Sequence, residues 1–187
     1  MVVRLTEFKG EIEIEQKLAL GLNRQLWAIR SAQIPLTHIP MQRYRNHGIA
    51  FEYPDDWQLD EDHGDENTTI TVADEGTSFW SLTLMWNRPP IQDVLEEIEQ
   101  TFRGEYDEID IEERLVPVAR REAQARDISF VCMELVNSAL IRVFRTGRFT
   151  VLVLAQATDH EFDAVKAVFA DITDTLDVDL DGDVLII

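Results

Sequence analysis

The chain has 187 residues, 45% apolar and 28% charged, with one cysteine and a formal net charge of −19. That composition fits one folded domain and excludes collagen-like, wholly disordered and membrane-spanning chains, while the single Cys132 excludes an internal disulfide. A field this negative repels phosphate, so nucleic acid and membrane surfaces are set aside as partners and a protein with a basic surface is expected.

The charge is unevenly placed. Residues 1 to 50 hold seven Lys/Arg and four Glu, a net +3, and the remainder holds ten basic against 32 acidic residues, a net −22. Residues 1–46 therefore read as a separate N-terminal segment, which packs on its own acidic domain or reaches a second molecule. Within it, Ile14, Leu18, Leu22, Leu26 and Ile29 recur at helical spacing and predict a helix, weakened at Gly21. Pro35 and Pro40 end that pattern, and the stretch from Ile34 to His47 reads as a linker or wrapped segment. No secretory pattern opens the chain, so a cytoplasmic location is expected.

From Gly48 the period changes to two. Ile49, Phe51 and Tyr53 predict a strand that runs into the turn Pro54-Asp55-Asp56-Trp57, and the acidic run from Asp60 to Glu66 reads as a loop. Thr68 to Ala73 and Phe79 to Trp86 predict a hairpin through Asp74-Glu75-Gly76, with Trp80, Leu82, Leu84 and Trp86 on a core face. Pro89-Pro90 opens a helix carrying Ile91, Val94, Leu95, Ile98 and Phe102 as its apolar stripe, with Gly104 as its expected C-terminal cap. Four β-rich segments follow, Glu108 to Val118, Ala123 to Leu135, Ala139 to Phe144 and Phe149 to Gln156, at spacings that favour antiparallel pairing. A second helix begins at Thr158 and Glu161, at capping-box spacing, and carries Phe162, Val165, Phe169, Ile172 and Leu176.

The order of these elements, together with the strings Gly48-Ile49-Ala50-Phe51-Glu52-Tyr53-Pro54-Asp55-Asp56-Trp57, Val118-Ala119-Arg120-Arg121-Glu122-Ala123 and Phe169-Ala170-Asp171-Ile172-Thr173-Asp174-Thr175-Leu176, resembles the PsbP/Mog-like superfamily over residues 46 to 178. The resemblance implies an α+β fold, an α/β/α sandwich around a central antiparallel sheet, with the N-terminal helical segment added. It also implies a binding role: the understood members serve photosystem II, bind the Ran GTPase or chaperone secreted effectors, and there are no catalytic residues to carry over. The expected organisation is residues 1–46 as helical segment and linker, 47–178 as the PsbP/Mog-like domain, and 179–187 as an acidic and apolar tail.

Candidate sites are few. Asp177, Asp179, Asp181 and Asp183, with Gly182, match the first seven positions of a calcium loop, but position twelve falls beyond Ile187, so only weak calcium binding is expected beside the plainer reading of a solvated tail. His63, among Asp60, Asp62, Asp65 and Glu66, is a second cation candidate if that loop folds around an ion, against the plainer reading of a solvated acidic loop. Trp57 and Trp27 read as core residues or as exposed anchors for a partner, with Asp60 and Asp62 as acidic contacts. Cys132 reads as a buried inert thiol and His160 as an exposed residue at a helix start. Arg120, Arg121, Arg126, Arg142, Arg145 and Arg148 read as a basic patch or, on the safer view, as partners of the acidic excess.

No nucleophile-elbow, P-loop, dinucleotide-binding or metalloprotease pattern occurs, so no cofactor and no catalysis are expected, a hydrolase built from distant residues being the remaining enzymatic alternative. The favoured reading is a protein-binding or adaptor module acting through its acidic surface or an open sheet face. The alternative is a self-assembling subunit, such as a homodimer, paired through residues 1–30.

Overall fold

The computed structural model describes residues 40–179, together with the backbone of two short strands, β1 (Leu5–Thr6) and β2 (Glu13–Ile14), which pair antiparallel. Ile14, the first residue of the expected helical stripe, is thus in a strand; Leu18, Leu22, Leu26, Trp27 and Ile29 lie outside the described residues.

The stretch expected to be a linker contains a strand, β3 (Met41–Asn46), which pairs with β4 (Ile49–Pro54). Only His47 and Gly48 join them, and both have positive φ, 55° and 81°, as the two-residue turn that matches strand twist requires. A Cβ at Gly48 would come within 2.7 Å of the Arg148 guanidinium, whose exposed side chain can move aside, so the positive φ is what favours glycine there. Sequence periodicity missed β3 because Tyr44 is its one inward aromatic, stacked at 5.1 Å on Phe51, while Gln42, Arg43 and Arg45 are exposed.

The main sheet has seven antiparallel strands: β5 (Gln58–His63), β6 (Asn67–Ala73), β7 (Phe79–Met85), β8 (Ile109–Val118), β9 (Arg121–Cys132), β10 (Leu135–Arg145) and β11 (Thr150–Thr158). Their order is β5-β6-β7-β11-β10-β9-β8. The predicted hairpins are present, β6 with β7 around Asp74 and β10 with β11 around Gly147. In the latter, the Thr146 hydroxyl accepts the N–H groups of Arg148 and Phe149 at 3.1 and 3.0 Å. The acidic run read as a loop is largely β5, the edge strand, paired with β6 from Gln58↔Ala73 to His63↔Thr68. An edge strand tolerates alternate carboxylates because one flank of it is wet, and such charges discourage pairing with other sheets.

Helix α1 (Ile91–Glu105) follows Pro89-Pro90 as expected and buries Val94, Leu95, Ile98 and Phe102. Gly104 lies inside its last turn and not past its end, where Tyr106 is the cap. Helix α2 (Asp159–Asp174) buries Phe169 and Ile172. Its expected capping box is altered: Glu161 reaches the Thr158 hydroxyl at 3.3 Å but also accepts the hydroxyls of Thr77 and Ser78, tying the helix start to the β6–β7 turn. A short strand, β12 (Asp177–Val178), then pairs with β4, giving a small sheet of order β12-β4-β3.

Two apolar clusters hold these parts together. Phe51, Trp80, Leu82, Leu84, Val151, Val153, Phe169 and Ile172 join β4, β7, β11 and α2. Phe79, Met85, Leu152, Leu154, Ile141, Phe130, Leu95 and Ile98 join the alternate residues of β7 and β11 to β9, β10 and α1. At about 1.5–3 kcal/mol per fully buried large side chain, the four buried residues of α1 contribute at most on the order of 6–12 kcal/mol. Every residue of β7, and every residue of β11 except Thr158, is buried, so the centre of the sheet presents no open face to a partner.

Candidate functional site

The acidic excess is spread along the domain, residues 91–113 alone holding ten carboxylates and one Arg, and one part of it has a particular arrangement. From Asn46 to Asn87 the sequence holds ten carboxylates and no Lys or Arg. That stretch includes β5 and the turns on either side of it, where Asp55, Asp56, Asp60, Asp65 and Glu66 are exposed and Asp62 is half-buried, and the β6–β7 turn, where Glu75 is exposed. Alternation along β5 turns Asp60 and Asp62 to one side and Leu59, Glu61 and His63 to the other, where Leu59 packs on the core.

Glu61 is the centre of a compact polar group. His47, from the β3–β4 turn, places Nε2 at 2.5 Å from Glu61 Oε1, and His63, two residues along β5, places Nε2 at 3.3 Å from the same oxygen. The Tyr44 hydroxyl donates to the other oxygen, Oε2, at 2.9 Å. Burial pushes the Glu61 carboxyl upward, but the hydrogen bonds from His47 and Tyr44 and the charges of both histidines outweigh it, leaving the group below its ordinary value. The same burial and the adjoining carboxylate push the Tyr44 phenol up, so it remains a donor. The Trp86 ring stands 6.2 Å from the His47 ring, and the His63 ring 5.6 Å from it, with the His63 side chain 59% exposed.

The expected grouping of His63 with Asp60, Asp62, Asp65 and Glu66 is therefore replaced by His47, Glu61 and His63, whose donor atoms lie within 4.8 Å of one another. The pair Glu61-x-His63 was present in the sequence as a signal, legible only once this stretch is read as a strand. His47 gives no such signal, because the fold alone brings it to β5.

The other candidates fall elsewhere. Trp57 is a core residue with 9% exposure, edge-on to Phe169 at 6.0 Å, and not an exposed anchor. Asp177 pairs with Arg120, Asp179 donates its N–H to the Gly48 carbonyl at 2.9 Å, and Asp181 and Asp183 lie outside the described residues. Cys132 ends β9 half-buried and not fully enclosed, and His160 is exposed beside Asp159. Much of the arginine set pairs with acids: Arg126, 6% exposed, reaches Glu99 at 2.6 Å and Glu113 at 3.2 Å, and Arg142 reaches Asp127 at 2.6 Å. No helix among the described residues is long and apolar enough to cross a membrane.

No protein-family model and no curated protein matches the sequence. Among solved structures the chain is similar to the cyanobacterial PsbP, CyanoP, of Synechocystis sp. PCC 6803, with 15% identity over 80% of this chain and 98% of that one and a TM-score of 0.53. Lower similarity links it to PA94 of Pseudomonas aeruginosa, a protein of unknown function, at 12% identity over 72% of this chain and 94% of that one, with a TM-score of 0.44. LpqN of Mycobacterium tuberculosis, involved in cell envelope biogenesis, matches at 12% identity over 76% and 92%, with a TM-score of 0.45. The likeness to CyanoP shows a PsbP-like, α+β fold, of mostly antiparallel sheet with two helices among the described residues.

Proposed function

We propose that this PsbP-like chain is a non-catalytic binding module that takes a protein with a basic surface on the acidic edge of its main sheet, in the cytoplasm. In the layering we infer, α1 and α2 are the outer layers of an α/β/α sandwich, which leaves edges and turns for recognition. The observation that carries the reading is the absence of Lys and Arg between Asn46 and Asn87, a stretch that holds ten carboxylates, three of them on β5 and four in the turns that flank it. Clustered charge of one sign steers an oppositely charged partner and raises its association rate.

The test is capture from native lysate with the tagged full-length protein as salt is raised. Exposed charges are screened beyond about 8 Å at physiological ionic strength, so a stoichiometric partner should be lost between low and moderate salt. The double variant Asp60→Asn/Asp62→Asn should weaken capture of the partner at low salt while the protein remains folded by circular dichroism. Capture indifferent to both changes would overturn this reading, and recovery of only the protein's own copies would favour self-assembly.

A further inference from the structure

The group formed by His47, Glu61 and His63 has a composition that the binding reading does not use. Two imidazole nitrogens and one carboxylate oxygen form the kind of mixed donor set that zinc and neighbouring divalent transition ions take, whereas calcium and magnesium prefer oxygen throughout. Around a tetrahedral ion with bonds of about 2.0–2.1 Å, ligand atoms stand about 3.3 Å apart. His63 Nε2 and Glu61 Oε1 are at that separation, 3.3 Å. His47 Nε2 and Glu61 Oε1 are in hydrogen-bond contact at 2.5 Å, and opening that contact by about 0.8 Å makes room for an ion between them.

The mounting suits the task. Glu61 and His63 share one side of β5, so their spacing is set by the strand pleat, and His47 sits in a two-residue turn whose backbone admits few alternatives. Behind the donors, Tyr44 holds the second oxygen of Glu61 at 2.9 Å, and the Thr68 hydroxyl lies 3.5 Å from His63 Nδ1, on the ring side away from the cluster. A proton on that Nδ1 leaves Nε2 with its lone pair, the form a metal needs. Trp86 closes one flank and the exposed His63 marks the open one.

We propose that His47, Glu61 and His63 form a three-ligand site for a divalent transition metal ion of the zinc class, with its fourth position open to water or to a donor from another molecule. The site is independent of the acidic-edge reading, since it asks nothing of Asp60 or Asp62.

The experiment titrates chelator-stripped full-length protein with zinc alone, in competition with a chromophoric chelator, and repeats the titration with cobalt to read its coordination spectrum. One equivalent should bind, with the visible absorption of four-coordinate cobalt. Glu61→Gln, His63→Ala and His47→Asn, the last chosen because Asn tolerates the turn's positive φ, should each weaken zinc by about 100-fold or more, and Tyr44→Phe by about 10-fold. His160→Ala should change nothing, and calcium should not compete. Zinc binding that survives the three ligand substitutions, an octahedral cobalt spectrum, or no binding by the unaltered protein would each overturn the proposal. The cobalt spectrum of the unaltered protein decides the matter even where a variant fails to fold.

Discussion

Asp74 shows how much one side chain can carry. Its Oδ1 accepts the N–H groups of Gly76 at 2.8 Å and Ser78 at 3.2 Å, which shapes the β6–β7 turn, yet burial first and the nearby Glu161 carboxylate second hold its carboxyl above the ordinary value. An unfolded chain ionises this group at lower pH than the folded one, so stability falls as pH rises from the ordinary carboxylate value through the raised one, and the loss is complete above it. Asp74→Asn keeps an acceptor for both N–H groups and removes the charge. Its melting temperature should exceed that of the unaltered protein at pH 7, with the gap closing below about pH 4; a gap independent of pH would show that the charge is not the cause. Residues of this kind are only partly legible in a sequence. The Asp-Glu-Gly turn was visible, and so was Trp57 as one of two readings, but Glu161 reaches Asp74 only after α2 has docked.

At the scale of elements, the hairpin turns stand out. Ala119-Arg120 between β8 and β9, with φ of 47° and 61°, and Met133-Glu134 between β9 and β10, with 52° and 65°, adopt the left-handed conformation without any glycine. Each such residue costs on the order of 1 kcal/mol relative to one suited to it. Replacing Met133-Glu134 by Asn-Gly should therefore raise the melting temperature by about 4–8 °C and remove an exposed methionine; a fall would mean that the tip holds these residues for packing reasons. These turns also explain what the sequence left unread. The strands with alternating apolar residues, β4, β6, β7 and β10, and the continuous apolar run of β11 announced themselves, while β3 and β5 alternate charged with mixed residues and resemble loops. The closely spaced β8–β9 and β9–β10 turns lacked the Asn-Gly signature, so the hairpins were inferred from strand length and not from turn chemistry.

For the molecule as a whole, the two apolar clusters lie on alternate residues of the same two strands, β7 and β11. Leu82→Ala on one side and Leu152→Ala on the other should each cost about 2–5 kcal/mol, and each should shift one shared unfolding transition. Separate transitions for the two variants would divide the molecule into independent halves. Sheet order could not be read from the sequence, because α1 carries the chain from β7 to the far edge and the next four strands return to meet it.

That return path bears on how the chain reaches this structure. β5-β6-β7 and β8-β9-β10-β11 are each runs of neighbours in sequence, assembled through hairpins that close over short loops. The seam between them, where Met85 meets Thr150, is a long-range contact that closes a large loop. Both cores draw on both sides of that seam, so neither run can complete its own apolar layer in advance. Until β11 is made, Trp80, Leu82 and Leu84 lack their partners and β7 is an uncharged bare edge, so the carboxylates of β5 guard only the opposite edge of the first run against pairing with another chain.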